Sequence, residues 1–322
     1  MSNGAKRLNN EQSKHGFFSG KIKLAISLSV TLIFIWAVEY LIGWSEILKA
    51  WSALPLSSLL LALLFLMTSY ALRAMRIFSY FQFKGLVEFG LCLKMTLMHN
   101  FYNNMLPMRS GELSFPIYLY RYFNIGKVDS VVTLFYFRLL DLHVLLTLLL
   151  CISFFLFPQY LLGVAITLIT WVALSVYIVH SHTRLLQTLQ GENLSKWKAI
   201  LVRILQSFPD TKTLLINSYF WTLLNWVIKL VVFAWILMQF SSLDFNFAAI
   251  GVIFGDATSV LPIHGVAGAG TYEAGVLFGV GLFGVKPQEI LTAAVNLHLF
   301  ILGGSILGVV FSKFIAEKRS GD

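Results

Sequence analysis

MHNFYNNMLPMRSGE, residues 98–112, sits inside an apolar region spanning 88–122, and a lipid-facing helix has no use for it. Pro107 removes a backbone donor, and its ring pushes Leu106 out of the helical region, so a helix is broken there. Asn100, Asn103, Asn104, Arg109 and Glu112 then carry polar groups at membrane depth, where unsatisfied groups are costly. A second stretch, LPIHGVAGAGTYEAG at 261–275, interrupts the apolar region 246–285 with a proline, a histidine, a glutamate and four glycines. Non-helical backbone at that depth is tolerated only where protein buries it or water reaches it, so both breaks point to an interior or a wet cavity.

The surrounding composition is that of a polytopic membrane protein. Apolar residues make up 57 % of the 322 and charged residues 12 %, against about a quarter charged in soluble domains. The formal charge of +9 fits basic cytoplasmic loops better than nucleic acid binding. Cys92 and Cys151 lie in apolar blocks with no metal or redox spacing. Lys6, Arg7, Lys14, Lys21 and Lys23 precede a first apolar block, Leu24 to Trp44, which lacks a small-residue cleavage site and reads as a retained span.

Six segments are long enough to cross a bilayer: 24–44, 54–72, 131–157, 159–179, 213–240 and 289–311. Treating 88–122 and 246–285 as re-entrant places 18 lysines and arginines on the cytoplasmic side and two outside. Letting only 88–106 cross inverts the rest and gives 9 against 12, so charge bias prefers the hairpins. The expected fold is therefore all-α, with six full spans and two re-entrant helical hairpins. Both termini are cytoplasmic: a basic segment at 1–23 and a tail at 312–322. The Asn193-Leu194-Ser195 sequon falls in a cytoplasmic loop, 180–212, and is discounted. Residues 24–157 and 159–311 read as an inverted repeat, each giving span, span, hairpin, span, a pattern that points to a binding site at the midplane.

The breaks resemble each other. Each runs Leu-Pro, a basic or potentially basic residue two positions on (Arg109, His264), glycine (Gly111; Gly268, Gly270) and then glutamate (Glu112, Glu273). New half-helices are expected near Ser110 and Thr271, and helix N-termini suit a phosphate or carboxylate. The candidate substrate-binding residues are Arg109, Gly111, Glu112, Asn103, Asn104, His264, Gly268, Gly270 and Glu273. Tight helix packing is the competing reading for the glycines, and capping of freed backbone for the asparagines. Arg138 and Asp141, three apart in FRLLDLH, are expected to pair, and Lys229 to meet an acid such as Asp256; these four form a candidate gate or structural set. Residues 191–205 mix basic and apolar residues as an interfacial amphipathic helix would.

Enzyme signatures are missing. There is no phosphate loop, dinucleotide fingerprint, H-E-x-x-H or G-x-S-x-G, and His180 and His182 lack a metal-ligand set, so no cofactor or metal is expected. Gly255-Asp256 has Ile253 where a membrane aspartyl protease carries its first glycine. Arg109-Ser110-Gly111 is followed by Glu112 where a lipid phosphatase carries histidine.

RAMR at 73–76, NNMLPMRSGE at 103–112, RLLDLH at 138–143 and LPIHGVAGAGTYE at 261–273 together resemble the lysylphosphatidylglycerol synthase transmembrane, or flippase-like, family. The resemblance covers nearly the whole chain. It departs at Phe137, where an acid precedes the family's arginine, and at His264-Gly265-Val266. It implies a multi-pass protein of the cytoplasmic membrane that moves or binds lipid; the anionic or phosphorylated headgroup is what the half-helix N-termini suit. The soluble aminoacyl-transferase domain is not expected here. A membrane enzyme or enzyme partner in lipid or polyprenyl-glycan synthesis, and a non-transporting assembly factor, remain the alternatives. Membrane lipids are the expected partners, with a lipid-modifying enzyme as a candidate and nucleic acid excluded.

Overall fold

The computed structural model describes residue 25 and residues 28–82, 87–189, 195–206, 208–209, 211–258 and 266–316, without the side chains of 107–109, 183, 196, 199, 200, 203, 204 and 289. Every regular element among the described residues is helical. The expected sites at Arg109 (its side chain) and His264, the basic residues before position 24 and those after 316 lie outside this description.

Among the described residues, five helices are long and apolar enough to cross a membrane, or six if a bent pair is one span. The bent pair is α1 (Leu28–Leu41) and α2 (Trp44–Ser52), which turn by 73° about the break between them. Gly43 takes φ 86° there, a value that costs glycine nothing. The Glu39 carboxylate accepts the Trp44 N–H at 3.0 Å just beyond the turn. The expected span 24–44 therefore meets a corner before its end.

α3 (Leu56–Gln82) runs a further ten residues past the expected end at 72, so Arg73 and Arg76 sit on a helix rather than in a loop. α4 (Phe89–Met105) stops where Leu106 turns extended, at φ −84° and ψ 139°, as the residue before a proline should. A 3₁₀ turn, Pro107–Leu113, leads into α5 (Ser114–Phe123). α6 (Lys127–Leu156), α7 (Leu161–Leu189), α8 (Lys196–Gln206) and α9 (Lys212–Gln239) follow. α10 (Phe245–Thr258) and α11 (Thr271–Gly281) flank the second break, and α12 (Pro287–Ser312) closes the fold with proline at its first turn.

α4 with α5, and α10 with α11, are antiparallel pairs held in different ways. The first is aromatic: His99 faces Phe115 at 5.7 Å between ring centres, and Tyr102 stacks on Tyr118 at 6.5 Å. The second is built on glycine. Gly251 and Gly255 of α10 lie against Val276 and Val280 of α11, while Gly275 and Gly279 face Phe254 and Ile250. Both helices carry small residues four apart, the spacing that lets membrane helices approach closely. With 14 and 11 residues, these helices reach about 21 and 16 Å at 1.5 Å per residue, short of the roughly 30 Å hydrocarbon core.

α3 and α9 pack together at the centre, joined by a buried Ser69 Oγ to Asn225 Oδ1 hydrogen bond of 2.8 Å. α12 crosses α4, and α10 crosses α6. α7 buries none of its most apolar window, against 56 % for α12, so α7 belongs to the lipid-facing rim.

A candidate ligand cavity between two helix breaks

α3, α4, α6 and α9 to α12 enclose a cavity of about 700 Å³. Both breaks reach it: Leu106 from the first, Ala267 and Gly268 from the second. The turn Pro107–Leu113 also touches the turn Val266–Gly268 directly. Ala267 sits at φ 57° and Gly268 at φ 76°, so the described end of the second break is in left-handed backbone there. His298 lies 3.5 Å from where a Cβ on Gly268 would stand.

One wall is a charge network. Asp141, buried on α6, accepts from Arg76 Nη1 at 2.7 Å and Trp226 Nε1 at 2.9 Å on one oxygen, and from Arg138 Nη1 at 3.3 Å on the other. Arg76 also donates to Thr222 Oγ1 at 3.0 Å and stacks over the Phe137 ring at 4.4 Å. Arg138 Nη2 reaches Glu112 Oε1 at 2.5 Å, and Asn103 donates to the same oxygen at 3.2 Å. His99 continues the chain to Ser114 Oγ at 2.8 Å, and that hydroxyl donates to the Gly111 carbonyl at 2.6 Å. This wall ties the first break to α3, α6 and α9. Separating any one charge from its partners would leave it desolvated and unpaired.

The second break is held by single contacts, among them the Val266 N–H donating to Thr31 Oγ1 on α1 at 2.6 Å. Glu273 is buried, accepts the Gly270 N–H at 2.9 Å and meets His298 Nδ1 at 2.7 Å. Lys229 Nζ donates to Asp256 Oδ1 at 3.0 Å and lies 4.5 Å above the Trp226 ring. The rest of α6's lining is hydrocarbon: Leu139, Leu142, Leu145, Leu146 and Leu149. Phe135 and Leu142 both line the cavity and remain 42 % and 50 % exposed, so this wall is continuous with the outer surface.

The structure brings most of the expected residues together. Asn103, Asn104, Gly268, Arg138, Lys229 and Asp256 line the cavity. Arg138 pairs with Asp141, and Lys229 with Asp256, as their spacing and depth implied. Gly111, Glu112, Asp141, Gly270 and Glu273 stand behind the lining. A side chain at Gly111 would collide with the Tyr102–Asn103 backbone, and one at Gly270 would press on Phe34. At the N-terminus of α11, Glu273 from the helix's own first turn takes the Gly270 N–H. Arg73, Arg76, Asn100 and His298 had not been singled out as site residues. His298 was legible as an ionisable side chain inside the apolar run AVNLHLF.

The model of the lysylphosphatidylglycerol synthase TM region matches residues 22–308. The chain belongs to that family. No individual curated protein matches it. The matched region takes in both breaks and every helix lining the cavity, so the family's membrane domain and the cavity are the same part of the chain.

Proposed function

We propose that this family member is a lipid translocator that holds an anionic or phosphorylated headgroup between its two breaks. The observation that carries this reading is the amphipathic cavity. Its polar side lies at Asn103, Asn104 and the turn at Gly268, and its leucine side opens toward the bilayer past Phe135 and Leu142. A soluble substrate needs no such apolar doorway; a lipid, with head and chains, needs both sides.

In this reading α4–α5 and α10–α11 are re-entrant hairpins, and residues 24–157 and 159–311 are inverted repeats with both termini on the cytoplasmic face. The register of the two halves supports the repeat. Ser69 and Asn225, which bond each other, are each the fourteenth residue of α3 and α9. Arg73 and Lys229 are each the eighteenth residue of those helices, and Asn100 and Asp256 each the twelfth of α4 and α10. Arg73 bonds Asn100 as Lys229 bonds Asp256. Arg138 and His298, each twelfth in α6 and α12, hold Glu112 and Glu273 respectively. Midplane sites between inverted halves are a transporter arrangement. A membrane enzyme using Glu112 or Glu273 as general base is less well supported, since both carboxylates are engaged behind the cavity wall.

Reconstitution tests the proposal. Liposomes containing the protein and a tail-labelled phospholipid should show faster transbilayer movement than empty liposomes. No acceleration for any phosphate-bearing or anionic lipid would contradict it.

A further inference from the structure

The paired register makes one charge conspicuous. The cavity lining carries four charged side chains, Arg73, Arg138, Lys229 and Asp256, among the described residues. Lys229 has Asp256 at 3.0 Å, and Arg138 has Glu112 and Asp141 behind it. Arg73 has no carboxylate within 4.0 Å among the described residues; its Nη1 donates at 2.7 Å to the Asn100 amide oxygen, and its Nε has no partner. The nearby carboxylate of Asp141 is already shared by Arg76, Arg138 and Trp226. Where the second half places an aspartate against its cation, the first half places an asparagine at the same helical position. The substitution keeps the hydrogen bond and deletes the counter-ion.

Arg73 is half-buried at membrane depth, where a cation without a counter-ion is costly unless something supplies the missing charge. We propose that Arg73 is the headgroup-phosphate site, with the ligand's phosphate occupying the electrostatic place that Asp256 fills in the other half. A guanidinium suits a phosphate through its fork of donors. Asn100 Nδ2, which has no partner, adds a donor beside it. Asn104 lines the same pole and is anchored by its Nδ2 donating to Ser305 Oγ at 2.6 Å, which leaves its carbonyl oxygen for a headgroup hydroxyl or amine. This inference rests on the lipid reading above and narrows it to phosphate-bearing lipids.

The test exchanges the two halves' chemistry in the full-length protein, purified in a phosphate-free maltoside detergent. Binding of dioleoyl phosphatidate, dioleoylglycerol and inorganic phosphate is titrated by native mass spectrometry, with thermal unfolding as the check on folding. Wild type should hold phosphatidate about tenfold or more above dioleoylglycerol, the scale of one charge-assisted contact. Asn100→Asp gives Arg73 a private counter-ion and should erase that preference while preserving the fold. Arg73→Gln should erase it as well, and Asp256→Asn, which frees Lys229, should add phosphatidate binding. Retention of the full preference in folded Asn100→Asp and Arg73→Gln would overturn the assignment. Equal binding of the two lipids by wild type would overturn the phosphate specificity and leave the lipid reading standing. Inorganic phosphate binding with no advantage for phosphatidate would assign the site to free phosphate, and binding of neither lipid nor phosphate would sink both readings.

Discussion

The first break and the second break are built on the same short pattern, yet they solve the same problem in opposite ways. At the first, Glu112 reaches across to Arg138, and through Asp141 the contact spreads to Arg76 and Trp226 on two further helices. At the second, Glu273 turns back on its own helix terminus and takes a single imidazole as partner. One break is coupled to α3, α6 and α9 by a charge network, while the other is held by single contacts, Glu273 to His298 on α12 and the Val266 N–H to Thr31 on α1, and wedged by glycine packing. Related positions in two halves therefore do not imply related roles.

The largest expected effect breaks the charge-coupled side. Asp141→Ala leaves Arg76 and Arg138 facing each other without their shared acid, and should cost about 3–5 kcal/mol, seen as loss of folded protein or a much lower unfolding temperature in detergent. The contrast between the two glutamates comes next. Glu112→Gln should cost about 2 kcal/mol and Glu273→Gln about 1 kcal/mol, because Glu112 faces the permanently charged Arg138 guanidinium while Glu273 faces an imidazole and a backbone N–H; the reverse order in thermal unfolding would undo the comparison.

How much of this was visible in the sequence follows the same division. The first break was legible, because Leu106-Pro107 cannot continue a helix; Leu261 and Pro262 of the second lie outside the described residues. The pairs Arg138–Asp141 and Lys229–Asp256 were legible too, since intramembrane charges must find partners. Arg73 and Arg76 were not. The hydropathy of α3 fades near residue 72, so both arginines read as loop charges at the cytoplasmic edge, whereas the helix continues to Gln82 and directs them into the bundle. The corner after α1 was missed for a similar reason: composition is blind to a 73° bend made by one glycine. The glycines of the second stretch had two readings, ligand approach and packing. Packing holds for Gly275, whose Cβ would collide with Thr258, while Gly268 lines the cavity.

Packing gives the next comparison. Gly275→Val overfills the α10–α11 contact and should cost about 1–3 kcal/mol, whereas Gly281→Ala, which faces open space, should stay within about 0.5 kcal/mol. The smallest effect belongs to the place where the halves meet. Ser69→Ala removes one interhelical hydrogen bond and should cost about 0.6 kcal/mol, a typical value for such bonds in membranes, read from chemical denaturation in mixed micelles.

The account depends on a lipid head lying between the breaks, and a photoreactive phosphatidate with its crosslinker beside the phosphate reports that position directly. After illumination in liposomes and peptide mapping, adducts should fall on α3 around Arg73, on α4 near Asn104, and on the segment from Val266 to Thr271. Adducts confined to the lipid-facing surface of α7 or to α8, with none at the breaks, would contradict it.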